Sequence, residues 1–325
     1  MVEYVNLTKI PGIKLGNAED LIGGTGCTVV LCEKGGIAGV DVRGGAPGTR
    51  ETDLLNPINM MDKVHCIMLA GGSAFGLDAV AGVMEYLESK GIGFDVGITK
   101  VPIVPAAVLF DLSVGDYRCR PDKAMGYRAC INAENGGFSE GSVGAGTGAT
   151  VGKILGMDKA MKGGLGSFCI KTGELYVGAV VAVNCFGDVV NPESGEILAG
   201  AYIPEENRFV NTELLIMESA KKDDNPFSGN TTIGCVITNA RLSKAEVNKV
   251  ASMAHNGYAR SIRPVHTMYD GDTIFALSTG QIEADVNQVG VMAVKAVEQA
   301  VINAVKKATP LFGIRAYSEV FREIP

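Results

Sequence analysis

Apolar positions along the chain fall into short continuous runs more often than into alternating ones. Thr25–Leu31 and Gly36–Val42 are two such runs, and with Glu33-Lys34-Gly35 between them they predict a buried hairpin. Val64–Leu69 predicts a strand. Gly71-Gly72-Ser73 then turns the chain into a helix over Ala74–Lys90, where Leu77, Val80, Ala81, Met84 and Leu87 recur at helical spacing. Gly91 and Gly93 end that helix. Val101–Leu109 carries two prolines and reads as a strand edge or extended segment. Ser113–Phe138 mixes loop and helix, with a helix expected around Ala124–Ala133, and Val177–Asn184 reads as another strand.

The pattern breaks at Ser219–Asn230, which is polar, turn-forming and expected as an exposed loop. It runs abruptly into Thr231–Thr238, a β-rich TTIGCVIT strand. A helix over Lys244–Ile262, a strand over Thr273–Leu277 and a long helix over Val286–Lys307 complete the pattern, with no internal repeat. Strands, helices, strands and helices in that order point to an α+β fold, with helices on both sides of stacked sheets.

Composition narrows the function classes. A chain of 325 residues holds one large domain or two modest ones. A net charge of −7 with no basic block leaves nucleic acid nothing to dock on. No stretch approaches about 18 uninterrupted apolar residues, so a membrane span is not expected. Met1-Val2-Glu3-Tyr4-Val5 lacks the basic and apolar regions of a signal peptide. The eight cysteines never form CxxC, and most lie inside apolar runs, as buried reduced thiols do. A cytoplasmic setting is expected. Glycine reaches 43 residues but is scattered through apolar runs, where it marks tight turns and close backbone approach.

Four places carry candidate chemistry. Ser73 follows a strand and opens a helix, as a nucleophile elbow does, but G-x-S-x-G needs a glycine where this chain has Phe75. It therefore reads as a helix cap after a tight turn. Gly144–Ala149 fits the permissive dinucleotide pattern without the flanking strand or later acid, and Gly152-Lys153 only approaches a phosphate loop. A close backbone turn with Lys153 beside a site is the more economical reading. Asp270-Gly271-Asp272, with His266 four residues earlier, makes a weak metal set. Asn230-Thr231 differs in kind. A hydroxyl is a weak nucleophile, whereas an N-terminal threonine carries a base in its own α-amine. Generating it requires the bond before Thr231 to break, and a loop running into a rigid strand has the right order. On the residues alone, an ordinary loop–strand junction remains the alternative.

Seven ordered blocks then resemble a known family: RGGAPGTRETDLL (43–55), LAGGSAFGLDAVAGV (69–83), VPIVPAAVLFDL (101–112), GSVGAGTGATVGK (141–153), VAVNCFGDVVNP (181–192), GNTTIGCVITNA (229–240) and YDGDTIFALSTG (269–280). They are similar to those of the self-processing L-aminopeptidase/D-esterase-amidase (DmpA-type) peptidases, which include β-aminopeptidases and the nylon-oligomer endohydrolase. The resemblance implies a four-layer αββα sandwich, like that of N-terminal-nucleophile hydrolases but differently connected. It implies one peptidase domain over 1–325, cut between Asn230 and Thr231 into chains 1–230 and 231–325. Thr231 matches the nucleophile, and Asp270 and Asp272 match the pair that orients it. Asn184 matches an oxyanion donor, and Lys153 an active-site lysine of the nylon-hydrolase branch. Several members have Tyr where this chain has Phe110, which cannot donate to an oxyanion. The implied substrates are small peptides, amino acid amides or esters. No cofactor or metal is expected, and a homo-oligomer, a tetramer of processed heterodimers, is. The rivals are acyl transfer, as in ornithine acetyltransferases, and a non-catalytic glycine-rich nucleotide-binding protein using Gly144–Lys153.

Overall fold

The structure, a computed structural model, describes residues 1–218 and 229–321. Most of the expected Ser219–Asn230 loop, residues 219–228, lies outside the described residues. Ten strands form a continuous path through two sheets. In chain order its strands are β1 (Val2–Val5), β2 (Lys14–Asp20), β3 (Thr25–Val42), β4 (Gly48–Arg50) and β5 (Val64–Ala70). Then come β6 (Ala106–Val108), β7 (Gly164–Thr172), β8 (Leu175–Asn184), β9 (Thr231–Arg241) and β10 (Thr273–Glu283). The spatial order is β1-β7-β8-β9-β10-β3-β5-β6-β4, with β2 also on β3. The two sheets share β3, the first holding β1 and β7–β10 and the second β2 and β4–β6.

The expected hairpin at Thr25–Val42 is instead one 18-residue strand. Its first half, Thr25–Leu31, pairs with β2 and β5, and Ile37–Val42 pairs with β10. Glu33-Lys34-Gly35 mark the crossing between them. The register shifts between Leu31 and Gly36, Gly35 takes a φ of +75°, and Glu33 pairs with Lys14 at the surface. A bulge of this kind bends a strand without reversing it. One strand thereby serves two sheets and folds them face to face.

Side-chain alternation fills three separate cores. Ile233, Cys235, Ile237 and Phe275 of one sheet meet Leu15, Val30, Ile67 and Leu69 of the other. On its outer face the second sheet packs Val29, Leu31, Cys66 and Met68 against helices α1 (Ala79–Ser89) and α2 (Lys123–Glu134). A short helix, α3 (Thr212–Glu218), precedes the gap at 219–228. The first sheet packs Val177, Val181, Val236 and Ile274 against α4 (Lys244–Ser261) and α5 (Val286–Lys307). Three cores between four layers are the expected αββα sandwich.

Local chemistry sets the helix limits. Ser243 and Glu246 form a capping box at the start of α4, and Asp285 accepts from two backbone N–H groups at the start of α5. Val289, Ala293, Val297, Ala300 and Ala304 give α5 one buried stripe at three- and four-residue spacing. The helix expected from Ala74 instead opens as a 3-10 turn over Ser73–Asp78, and α1 starts only at Ala79. The proline-bearing segment is not an edge: β6 lies between β5 and β4, with both prolines outside its paired residues. The cysteines are free thiols, and all but Cys119 are buried. Burial pushes the Cys27 thiol up to about 12, far from a reactive thiolate. Among the described residues, no helix is long and apolar enough to cross a membrane.

Candidate active site

Strand directions gather the expected residues at one end of the first sheet. β9 and β10 are parallel, so the Asp270-Gly271-Asp272 turn that leads into β10 sits beside the start of β9, at Thr231. β8 runs antiparallel to β9 and ends at the same edge, with Asn184 directly opposite Thr231. Phe110, which follows β6, closes the site from the other sheet. Asn184 donates from Nδ2 to the Phe110 carbonyl at 2.9 Å.

Thr231 is only 4% exposed, and its hydroxyl donates to the carbonyl of Asn230, the residue before it. Asn230 is itself 3% exposed. The junction expected at the end of an exposed loop is therefore buried, because β9 is central in its sheet and draws the preceding residues in with it. Gly229 takes a φ of +61°, and an added Cβ there would lie 2.1 Å from the Phe110 ring. A Cβ at Gly271 would come within 2.6 Å of the Thr231 hydroxyl oxygen. Only glycine lets the acidic turn approach the hydroxyl this closely.

The two aspartates face different partners. Asp272 is fully buried; its Oδ1 accepts from the Thr232 N–H at 2.8 Å. Its Oδ2 accepts from His266, from the backbone N–H at 3.0 Å and at ring Nδ1 at 2.8 Å. Asp270 accepts from the Phe186 N–H at 3.1 Å and from the Thr267 hydroxyl at 2.5 Å. Burial first, and then the neighbouring charge of Asp272, raise the Asp270 carboxyl to about 6.

Lys153 is 4% exposed; Nζ donates to the backbone O and Oδ1 of Asn184, both at 3.0 Å, and reaches the Gly229 carbonyl at 3.4 Å. Burial lowers its pKa to about 8. The Thr150 N–H also donates to Asn184 Oδ1, at 2.9 Å. With Oδ1 taken by these donors, the amide nitrogen of Asn184 must turn the other way, toward Phe110 and the Gly229 carbonyl at 3.3 Å. The carbonyl within reach of Nδ2 and Lys153 is thus that of Gly229, one residue before the Asn230 carbonyl that Thr231 touches.

A cleft of 130 Å³ opens onto Thr231, with Pro47, Ser73, Leu109, Phe110 and Tyr269 among its walls. Ser73 therefore belongs to this cleft rather than to a separate elbow. The nucleotide reading of Gly144–Lys153 meets an obstacle: the Gly144 N–H donates to the Glu19 carboxylate at 2.9 Å, and Ala145 N–H to Thr28. Those donors are taken, one of them by an anion that would repel phosphate. Among the described residues, no group of three or more His, Cys, Asp or Glu is placed to hold a metal ion. Sequence reading did not single out Thr150 or Thr267, and it named Gly271 and His266 only within a weak metal set, on their nearness to the acidic pair.

The sequence model of peptidase family S58 matches residues 6–318. The chain belongs to peptidase family S58. An uncharacterized aminopeptidase of Mycobacterium leprae is 40% identical, over 97% of this chain and 94% of its own length. The 6-aminohexanoate-oligomer endohydrolase of Kocuria sp. is 34% identical, over 84% of this chain and 74% of its own. Among solved structures, the L-aminopeptidase D-Ala-esterase/amidase of Ochrobactrum anthropi superposes with a TM-score of 0.71 at 17% identity, covering 95% of this chain and 90% of that one. It is described as a variant of the N-terminal-nucleophile hydrolase fold. A Burkholderia sp. beta-aminopeptidase gives a TM-score of 0.67 at 20% identity, covering 98% and 93%. This S58 chain therefore has the expected fold and is a hydrolase of the peptidase and aminopeptidase class.

Proposed function

We propose that this S58 peptidase is one domain over 1–325 that cuts itself before Thr231 and then hydrolyses small amides with that threonine as an N-terminal nucleophile. The observation that carries the reading is the Thr231 hydroxyl lying on its own preceding carbonyl, between the Asp270–Asp272 turn and the Asn184 amide. In the first reaction the Thr231 hydroxyl oxygen attacks the Asn230 carbonyl carbon. The C–N bond breaks, the Thr231 nitrogen gains the proton, and an ester forms. Water then attacks that ester, releasing the Asn230 carboxylate and leaving Thr231 with a free α-amine.

In turnover, the amine takes the hydroxyl proton as the oxygen attacks a substrate amide, then passes it to the leaving amine. Water hydrolyses the acyl ester that results. An α-amine has a pKa of about 7.7–8.0 in the absence of neighbours, so a useful neutral fraction exists near neutrality. Asp272 fixes the start of β9 through Thr232 N–H, and Asp270 bears on the same turn. Asn184 Nδ2 and the Lys153 ammonium supply positive character on the acyl side, where Phe110 offers no side-chain donor. The names of the relatives support small peptides, amino acid amides or esters as substrates.

The test is Thr231→Ala beside Thr231→Ser, read by intact mass and by hydrolysis of an amino acid p-nitroanilide panel. Thr231→Ala should remain a single folded chain without activity. Thr231→Ser should still cleave and turn over, less well because it lacks the branch that restricts χ1. Near-normal hydrolysis by Thr231→Ala would end the proposal.

A further inference from the structure

We infer that His266 is a positioning residue for the nucleophile, acting through Asp272; the inference rests on the reading of Thr231 given above. Among the described residues, the Asp272 side chain accepts from three donors, and His266 supplies two of them, both to Oδ2. The third, the Thr232 N–H on Oδ1, belongs to the peptide that joins Thr231 to Thr232. The orientation of that peptide sets the orientation of Thr231, and with it the aim of the hydroxyl. The imidazole is the side-chain donor that stops the Asp272 carboxylate rotating away from Thr232.

Two further observations point the same way. His266 has a φ of +59°, the left-handed region that is uncommon outside glycine and that histidine enters more readily than most residues. Strain there persists only where surrounding bonds impose it, and the paired bonds to one carboxylate oxygen do so. The surroundings of the ring are also poorly suited to a purely structural role. Its ring sits edge-to-face with His255 at 4.8 Å and tilted to Tyr258 at 6.3 Å. His266 Nε2, His255 Nδ1, the Tyr258 hydroxyl and the Thr232 hydroxyl are buried with no hydrogen-bond partner among the described residues. Apolar side chains would fill this space between β9 and α4 at lower cost, since unpartnered buried polar atoms destabilise a core. The hydrogen bond to the Asp272 carboxylate requires a proton on His266 Nδ1.

The experiment compares His266→Gly, His266→Asn and Thr231→Ala with the native enzyme, by self-cleavage rate from intact mass and by kcat and KM on a p-nitroanilide substrate. Glycine keeps the left-handed backbone and removes only the ring. His266→Gly should slow self-cleavage and lower kcat roughly 10- to 100-fold, because small misplacements of a nucleophile cost that much. KM should stay within about threefold, since the cleft walls are untouched. Free imidazole in the buffer should restore part of the kcat. His266→Asn, which accepts a positive φ and offers an amide donor, should stay within about tenfold of native. Native kcat in His266→Gly overturns the inference, as does a loss that neither imidazole nor His266→Asn recovers. Activity in Thr231→Ala would instead overturn the nucleophile reading on which it rests.

Discussion

At the residue scale, the site depends on how burial sets charge. Among the described residues, Lys153 reaches carbonyl and amide oxygens, and burial lowers its pKa to about 8. It is therefore a cation below that pH and neutral above it. If its charge supports the acyl oxygen, kcat should fall as pH rises through about 8, while protonation of the Thr231 amine limits activity on the acid side. Lys153→Met should lower kcat and abolish the alkaline decline, with activity still lost on the acid side. A kcat profile from pH 5 to 10 checks this, and an unchanged alkaline limb in the variant refutes it. Asn184→Ala removes the amide that Thr150 and Lys153 hold in one orientation. It should reduce kcat about 10²- to 10³-fold, as loss of an oxyanion donor does. A loss below tenfold would move the oxyanion role to other donors.

At the element scale, β3 decides whether the sandwich closes. Its second half lies against α4, where the Asn248 side chain accepts from the Val40 N–H at 3.1 Å. A Cβ on Gly39 would sit 2.5 Å from the Asn248 nitrogen and 2.8 Å from its Cα. These are backbone atoms of a capped helix and have little room to move. Gly39→Ala should therefore destabilise by about 1–3 kcal/mol, the usual range for overpacking. Urea denaturation of both proteins measures it, and equal midpoints would show that α4 shifts freely. The long apolar stretch around β3 was readable as extended, buried chain. Its continuity was not, because Glu33-Lys34-Gly35 look the same in a hairpin turn and in a bulge where a strand changes sheets.

At the scale of the whole molecule, self-cleavage should not separate the fragments. β9 and β10 both lie in the 231–325 piece, yet in the sheet they sit between β8 and β3 of the other. Separation would unzip β8 from β9 and β3 from β10. After cleavage, 1–230 and 231–325 should co-elute in native size exclusion and part only in denaturant; separate native peaks would contradict this. Stability should also track Lys162, which is fully buried and donates to the Thr147 and Ala149 carbonyls, both at 2.7 Å. Burial lowers its pKa from 10.5 to about 7. A lysine lowered in this way stabilises most above its unfolded value and loses that contribution as pH falls toward the folded one. The stability of the native protein relative to Lys162→Met should therefore shrink from pH 10.5 down to about 7 and level off below. Urea titrations at three pH values test the slope, and a difference independent of pH would rule it out.

Sequence alone determined the reaction class and much of the fold. Seven ordered motif blocks identified the family, and continuous apolar runs with helical periodicity located β5, β8, β9, α2, α4 and α5 to within a few residues. Such features are local: a run of apolar side chains or a capping residue carries its meaning wherever the chain goes. Thr231, Asp270, Asp272, Asn184 and Lys153 were also named from the motifs, but their mutual geometry was not. Parallel pairing of β9 with β10 brings the acidic turn to Thr231, and antiparallel β8 brings Asn184 opposite it. Tertiary structure alone buried Asn230, turned the Asn184 amide toward Gly229, drew Ser73 into the cleft and set His266 on Asp272. Each of these depends on contacts between segments far apart in the chain or on a backbone turn, and a linear pattern holds no record of which strands become neighbours.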